Sequence, residues 1–225
     1  MSMEVYGIAP ARRRQRTYAQ LQQSAPHAAL LMGGATVASG TAWNPADKGT
    51  TVTLSNSDRT YNTSGNAGQS NLVRAVASHA STGKYYFEVL FSAVAGGSNV
   101  VSIGVARSTT NYFTNFQNSA FYWNYSNNSL AFDGTNNGLV GTSSTTFTTG
   151  DRIACAVDLA AGKIWWSKNN TWLNGGNPGA GTGALFSTLS GTLFPAMYGV
   201  TVTTGTANFG ASDFAYTPPS GFSPW

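Results

Sequence analysis

The chain predicts an all-β fold: a two-sheet antiparallel β-sandwich with an extended N-terminal arm. Three observations carry that expectation. Glycine (26 of 225 residues), proline (8), threonine, serine and asparagine are abundant, while charged residues make up only 9%. That mix suits short strands joined by tight turns, not solvated helices. Apolar residues recur with period two in one short run after another. Turn residues punctuate these runs closely enough for nine or ten strands, with no clear internal repeat, which is the spacing of a sandwich. Low charge with 12% aromatics argues against disorder. A chain of this length buries roughly two thirds of its unfolded surface, so it needs no staples.

Residues 1–41 stand apart from the rest. Arg12, Arg13, Arg14 and Arg16 against Glu4 give +3; the remaining eight Lys or Arg against seven acids give +1, for a total of +4. The basic character therefore sits in the arm, and residues 42–225 form a nearly neutral domain. One short helix fits Thr17 to Gln23, stopped near Pro26. The run containing Leu30, Leu31 and Met32 is apolar but has no partner strand in view. An arm without a core of its own is expected to attach to another subunit, burying those apolar residues and pairing its arginines with acids.

The strands follow in order. TVTLS (51–55) alternates, and so does YYFEVLF (85–91): Tyr85, Phe87, Val89 and Phe91 share one face, Tyr86, Glu88 and Leu90 the other. NVVSIGVA (99–106) comes after the Gly96-Gly97 turn. SAFYWNY (119–125) and SLAFDG (129–134) flank an Asn-rich turn. LFPAMYGVTV (193–202) and TANFG (206–210) come last. Between them lies a hairpin, 152–158 with 163–168. Ile153, Cys155 and Val157 face one way, Ala154 and Ala156 the other, and the alanines imply a second layer close against that face too. Gly162 supplies the positive φ of the turn. Ile164 and Trp166 share a face on the return strand, opposite Trp165. Asn169-Asn170 makes the next turn, because Asn tolerates the left-handed region.

Cys155 is the only cysteine, so no internal disulfide forms, and its apolar setting makes it a small core hydrophobe. No apolar run approaches the roughly 20 residues of a membrane span. The arginines near the start are followed by polar residues, unlike a secretion signal. Four Asn-x-Ser/Thr triplets, at Asn62, Asn124, Asn127 and Asn169, carry little weight without a secretory route.

Six words in order resemble the SPRY domain, a concanavalin-like β-sandwich also found in B30.2 proteins. They are TLSNSDRTY (53–61), STGKYYFEV (81–89), SIGVAR (102–107), GDRIACAVDLAAGKIWWSKNN (150–170), LFPAMYG with ANFG, and FAYTPPSGF (214–222). The resemblance covers about residues 42–222. Asn170 and Ala154 stand where the family commonly has glycine. No separate PRY half, RING or coiled-coil segment accompanies it, so the ubiquitin-ligase role of the animal members is not expected here. The neutral Gly/Thr/Asn-rich style and the closing segment look more like phage-borne members, which implies a structural protein on the surface of a phage particle.

Chemistry finds little purchase. A glycosidase needs two carboxyls about 5 to 9.5 Å apart. The chain has two Glu and six Asp, and Asp151 and Asp158, seven strand steps apart, lie about 23 Å from each other. Glu88 reads as structural. His27 falls in the arm and His79 in a turn before a strand; with one cysteine they make no zinc site. DGTNNG (133–138) lacks the acidic run of a calcium loop. GGNPGAGTG (175–183) has no following Lys-Ser/Thr for a phosphate loop and reads as a flexible surface loop. No metal or cofactor is expected. Four arginines without interleaved aromatics or a docking fold give only a weak nucleic-acid signal, and no nucleic-acid partner is expected.

Binding remains. STTNYFTNFQN (108–118) is the most aromatic long loop. Tyr112, Phe113 and Phe116 with Asn115 offer flat apolar faces and directional hydrogen bonds for a sugar or protein, although rings capping the sandwich end explain them equally. Trp172 with its following loop, and Tyr125 with Asn127, are further candidates. The expectation is a non-catalytic virion protein present in many copies. Its arm, through Arg12, Arg13, Arg14, Arg16, Leu30, Leu31 and Met32, would hold other virion proteins, and its loops would meet a host-surface glycan or protein. Its role would be attachment, or decoration of tail or capsid. A polysaccharide-degrading glycoside hydrolase and an intracellular peptide-binding adaptor are the alternatives.

Overall fold

The structure is a computed structural model. It describes residues 41–64, 71–95, 101–110, 119–125, 128–133, 138–143 and 145–225. Its strands are β1 (Trp43–Lys48), β2 (Val52–Ser55), β3 (Thr60–Ser64), β4 (Val73–Ala75), β5 (His79–Ala80), β6 (Lys84–Val94), β7 (Val101–Ala106), β8 (Ala120–Tyr125), β9 (Asn128–Asp133), β10 (Gly138–Ser143), β11 (Arg152–Asp158), β12 (Lys163–Lys168), β13 (Thr171–Trp172), β14 (Thr192–Gly199), β15 (Val202–Asn208) and β16 (Ser223–Pro224). The first sheet runs β1-β4-β14-β7-β8-β9-β10, with β5 beside β14. The second runs β13-β12-β11-β6-β15-β3-β2, with β16 parallel to β6. Every other pairing is antiparallel, giving the expected two-sheet sandwich.

Alternation decides which side chains fill it. Phe87, Val89 and Phe91 on β6, Ile153, Cys155 and Val157 on β11, and Ile164 and Trp166 on β12 point inward. They meet Val101, Ile103 and Val105 of β7, Tyr122 of β8 and Met197 of β14 in one core. Trp166 Nε1 donates across the sandwich to the Ile103 carbonyl at 3.1 Å. Tyr122 packs between Phe147 and Trp166, with ring centroids 5.7 and 6.0 Å away. Cys155 is free and fully buried, and burial pushes its thiol well above its ordinary range.

Polar groups inside are tied down. Asn71 is fully buried; it donates from Nδ2 to the Gly199 carbonyl at 2.8 Å, and its own carbonyl accepts the Tyr61 hydroxyl at 2.9 Å. Burial pushes that phenol far above its ordinary value.

Several expectations need correction. The run 193–202 is not one strand. β14 ends at Gly199 and lies in the first sheet; β15 begins at Val202 and lies in the second. The chain changes sheets at Val200 and Thr201, a corner that an unbroken apolar-looking run conceals. β1, β3, β4, β5, β10, β13 and β16 have no counterpart among the nine runs read from the sequence, because most are too short or too polar to show alternation. His79 is not in a turn: it lies in β5, opposite Leu193. Residues 175–183 do not form a loose loop. Asn177 bridges Thr182, the Thr182 carbonyl accepts Trp165 Nε1 at 2.7 Å, and the Gly181 carbonyl accepts Lys163 Nζ at 2.8 Å.

Trp225 closes the core beside β6. It is 6% exposed, its Nε1 donates to the Ala77 carbonyl at 3.2 Å, and its ring lies 5.8 Å from Phe87 and 5.2 Å from His79. His79 stacks on Tyr85 at 3.7 Å. Burial lowers the His79 pKa below 6.5. The fold therefore favours neutral imidazole: its contribution is complete above the unfolded value near 6.5 and declines as pH falls through that value towards the lower folded one. The melting temperature is expected to drop modestly from pH 7 to pH 5, and His79→Phe is expected to flatten that slope in a pH series of thermal melts.

Candidate functional site

The outer face of the second sheet is built from the residues that alternation turns away from the core. β11 pairs with β6 so that Arg152 lies opposite Leu90, Ala154 opposite Glu88 and Ala156 opposite Tyr86. On the other side of β6, β15 sets Thr206 opposite Leu90 and Asn208 opposite Glu88. The face then divides in two.

One half is apolar. Tyr86, Ala154, Ala156 and Trp165 form a buried cluster, covered by Trp172, Ala184, Phe214 and Phe222. This is the second layer that the two alanines imply. Phe214 meets Tyr86 edge-on at 4.8 Å, and Phe222 meets Trp165 at 6.3 Å. Trp172 is half-buried and packs against this cluster.

The other half is a polar cleft of about 280 Å³. Its floor holds Glu88, Leu90, Arg152, Thr206, Ala207 and Asn208; one wall is the β2–β3 turn, and the other is the segment after β15. Glu88 is fully buried yet satisfied. Oε1 accepts Arg152 Nη1 at 3.2 Å and the Ala215 N–H at 2.8 Å, and Oε2 accepts the Tyr86 hydroxyl at 3.2 Å. Burial pushes the Tyr86 phenol far above its ordinary value, with the nearby Glu88 carboxylate acting in the same direction. Asn208 holds the far wall: Nδ2 donates to the Ser212 and Asp213 carbonyls at 3.2 and 3.0 Å, and Oδ1 accepts the Gly210 N–H at 2.9 Å.

The near wall is a left-handed turn. Asn56, Ser57 and Asp58 have φ of 54°, 53° and 59°; Asn and Asp tolerate this region, while Ser57 is strained by roughly 1–2 kcal/mol. The turn is held from both sides. The Asp58 carbonyl accepts the Trp43 N–H and the Arg59 carbonyl accepts the Ala207 N–H, each at 2.9 Å. Arg59 thereby lines the cleft, and its Nε is buried with no hydrogen-bond partner.

Three further acids are paired with cations elsewhere. Asp151 takes Lys168 at 2.9 Å, Asn169 Nδ2 at 2.7 Å and the Thr148 N–H at 2.7 Å. Burial alone would raise its carboxyl, but these donors hold it below its ordinary value. Asp158 pairs with Lys84 at 3.2 Å and Asp47 with Arg74 at 2.7 Å. Among the described residues, no three His, Cys, Asp or Glu gather to hold a metal ion, and no helix is long and apolar enough to cross a membrane.

Of the loop residues named from sequence, Tyr112, Phe113, Asn115, Phe116 and Asn127 lie outside the described residues, as do the arm residues Arg12, Arg13, Arg14, Arg16, Leu30, Leu31 and Met32 and most of 133–138. Tyr125 ends β8. The cleft itself escaped sequence reading. The only local hint is the Asn-Ser-Asp-Arg turn, where charged and turn residues conceal that Arg59 lines one cleft with residues of β6, β11 and β15.

Removing the Arg152 guanidinium leaves a buried carboxylate without its cation. Arg152→Ala is expected to cost about 3 kcal/mol, read by urea unfolding. Glu88→Leu together with Arg152→Met is expected to recover only part of it: the unpaired carboxylate is gone, but the Tyr86 hydroxyl and the Ala215 N–H lose their acceptor.

The two sheets, one with part of its outer face covered by the chain's own later segments, define an all-β sandwich domain. Residues 84–212, over half of the chain, match the SPRY domain model, and the chain belongs to the SPRY family. SPRY domains are generally non-catalytic, protein-binding modules. Among solved structures it is similar to the SPRY domain of human HERC1, at 18% identity with a TM-score of 0.54, covering 73% of this chain and 94% of that one. The TRIM65 PSpry domain matches at 16% identity and TM-score 0.54, over 75% and 92%. Stonustoxin matches at 14% identity and TM-score 0.51, over 75% and 27%. At these identities the likeness is one of fold. No curated protein matches the sequence.

Proposed function

We propose that this chain is a non-catalytic binding protein carried in many copies on a tailed-phage particle, where it serves in host attachment or in decorating tail or capsid. The observation that carries the binding half is the use of its acids. Glu88, Asp47, Asp151 and Asp158 are each committed to a different cation, an arrangement that stiffens the sandwich and leaves recognition to its surface. Family membership supports the same reading. The particle half is supported by the four arginines and the apolar run Leu30, Leu31 and Met32 in the first 41 positions and by the likeness to phage-borne SPRY sequences. Repetition on a symmetric particle converts weak single contacts into avidity.

The test has two parts. Mass spectrometry of purified particles is expected to find the chain, and a chain lacking residues 2–40 is expected to stay folded but be absent from particles. Normal incorporation of the truncated chain refutes the anchoring arm, and absence of the intact chain from particles refutes the virion assignment. Incubation with host-envelope polysaccharide is expected to release no reducing ends; release would establish the hydrolase instead.

A further inference from the structure

The polar cleft on the second sheet holds two arginines in different states. Arg152 is spoken for, bonded to Glu88, whose oxygens also accept the Tyr86 hydroxyl and the Ala215 N–H. Arg59 forms no side-chain hydrogen bond or ion pair with the described residues, and its Nε is shut off from water. A buried guanidinium N–H without an acceptor costs more than an ordinary lost hydrogen bond, because the group is charged. Arg59 is also set in place by three consecutive left-handed residues, Asn56 to Asp58, fastened to β1 and β15. Strain of this kind persists where the surroundings impose it, and it collects at ligand clamps.

We propose that this cleft is a carboxylate-binding site that takes the side chain of an acidic residue on a protein partner, with Arg59 as the gripping group. A guanidinium presents two parallel N–H donors that match the two oxygens of a carboxylate. The charge balance selects the ligand. Glu88 and Arg152 neutralise each other, leaving the single charge of Arg59 facing the cleft and Asp213 on the rim. A carboxylate brings one negative charge to Arg59, whereas a doubly charged phosphate brings two and meets about twice the repulsion from Asp213. Size agrees: about 280 Å³ is just below the roughly 300–1,000 Å³ of small-molecule sites and admits one side chain. No aromatic ring is among the described lining residues, so the flat apolar platform suited to a sugar ring is missing from the cleft. The site deepens the binding-module reading and rests on it.

The test is an NMR titration of the full chain with N-acetyl-glutamate N-methylamide, beside its glutamine counterpart, glucuronate and inorganic phosphate. Saturable shifts are expected at Asn56–Thr60, Thr206–Asn208 and Ser212–Ala215 with the glutamate probe. Arg59→Gln is expected to weaken that binding at least tenfold, Arg59→Lys to weaken it less, and Asp213→Asn to tighten it severalfold by removing a like charge. Should Arg59→Gln not fold, Arg59→Lys and the salt dependence of the unaltered chain decide, binding being expected to weaken as added salt screens the pair. The proposal is overturned if the glutamate probe gives no saturable shift, if the glutamine probe binds equally, if binding is indifferent to every change at Arg59 and to salt, or if glucuronate or phosphate binds more tightly. Such a failure leaves the particle inventory and the polysaccharide assay untouched, so the two readings fail separately.

Discussion

Gly104→Ala is expected to abolish folding. A Cβ at this position of β7 would lie 1.9 Å from the Ala120 carbonyl oxygen and 2.9 Å from the Phe121 Cα, both backbone atoms of β8. Ordinary contact begins near 3.4 Å, so the strands would have to part by about 3.4 − 1.9 = 1.5 Å. Hydrogen-bonded strands sit about 4.8 Å apart, and a displacement of that size breaks the ladder through which β7 joins β14 to β8. No rotamer change can relieve a clash with backbone. The loss is expected to exceed about 4 kcal/mol, beyond the range of ordinary substitutions. Soluble yield and far-UV circular dichroism check it. Gly179→Ala is the control: its nearest neighbour would be 3.6 Å away, and its effect is expected to stay within about 0.5 kcal/mol. A folded Gly104→Ala protein of normal stability would mean that β7 and β8 do not approach as described.

Trp166→Ala is the second large effect. The side chain is fully buried, packs near Tyr122 and bonds the Ile103 carbonyl of the opposite sheet. Truncating a buried Trp costs about 3–5 kcal/mol through lost contact and the cavity left behind. For a domain of this size that lowers the melting temperature by roughly 6–20 °C, at 2–4 °C per kcal/mol. Trp166→Phe separates the causes: it keeps most of the volume and removes only the donor, so a loss of about 1 kcal/mol is expected. Thermal melts of the three proteins check this ordering. Equal losses for Phe and Ala would assign the effect to the cross-sheet bond and not to packing.

The same features show what could be read from residues alone. Period-two alternation is enforced locally by the pleat, so the inward faces of β6, β11 and β12 were legible: Phe87, Cys155 and Trp166 fall where alternation puts them. So were the turns at Gly162 (φ 65°) and Asn169-Asn170 (φ 47° and 68°), where the chain's own sterics choose the residue. Asn170 takes the left-handed conformation that a glycine would otherwise supply. Edge strands of two or three residues were not legible, because they are set by what they pair with. Nor was the crossing at Val200–Thr201, since a corner between sheets looks like any apolar run.

The cleft is the clearest case of what sequence left undetermined. Its lining comes from the β2–β3 turn, β6, β11, β15 and the segment beyond, parts of the chain far apart in order. Alternation states only that Glu88 and Arg152 point away from the core. That Arg152 reaches Glu88, while Arg59 is left with a buried nitrogen and no acceptor, depends on strand order and register. The residues by themselves determined the fold class, the inward faces and the turn positions, because those follow from local sterics and burial period. Tertiary structure alone decided which outward residues meet, because strand neighbours are chosen by long-range packing that no local pattern encodes.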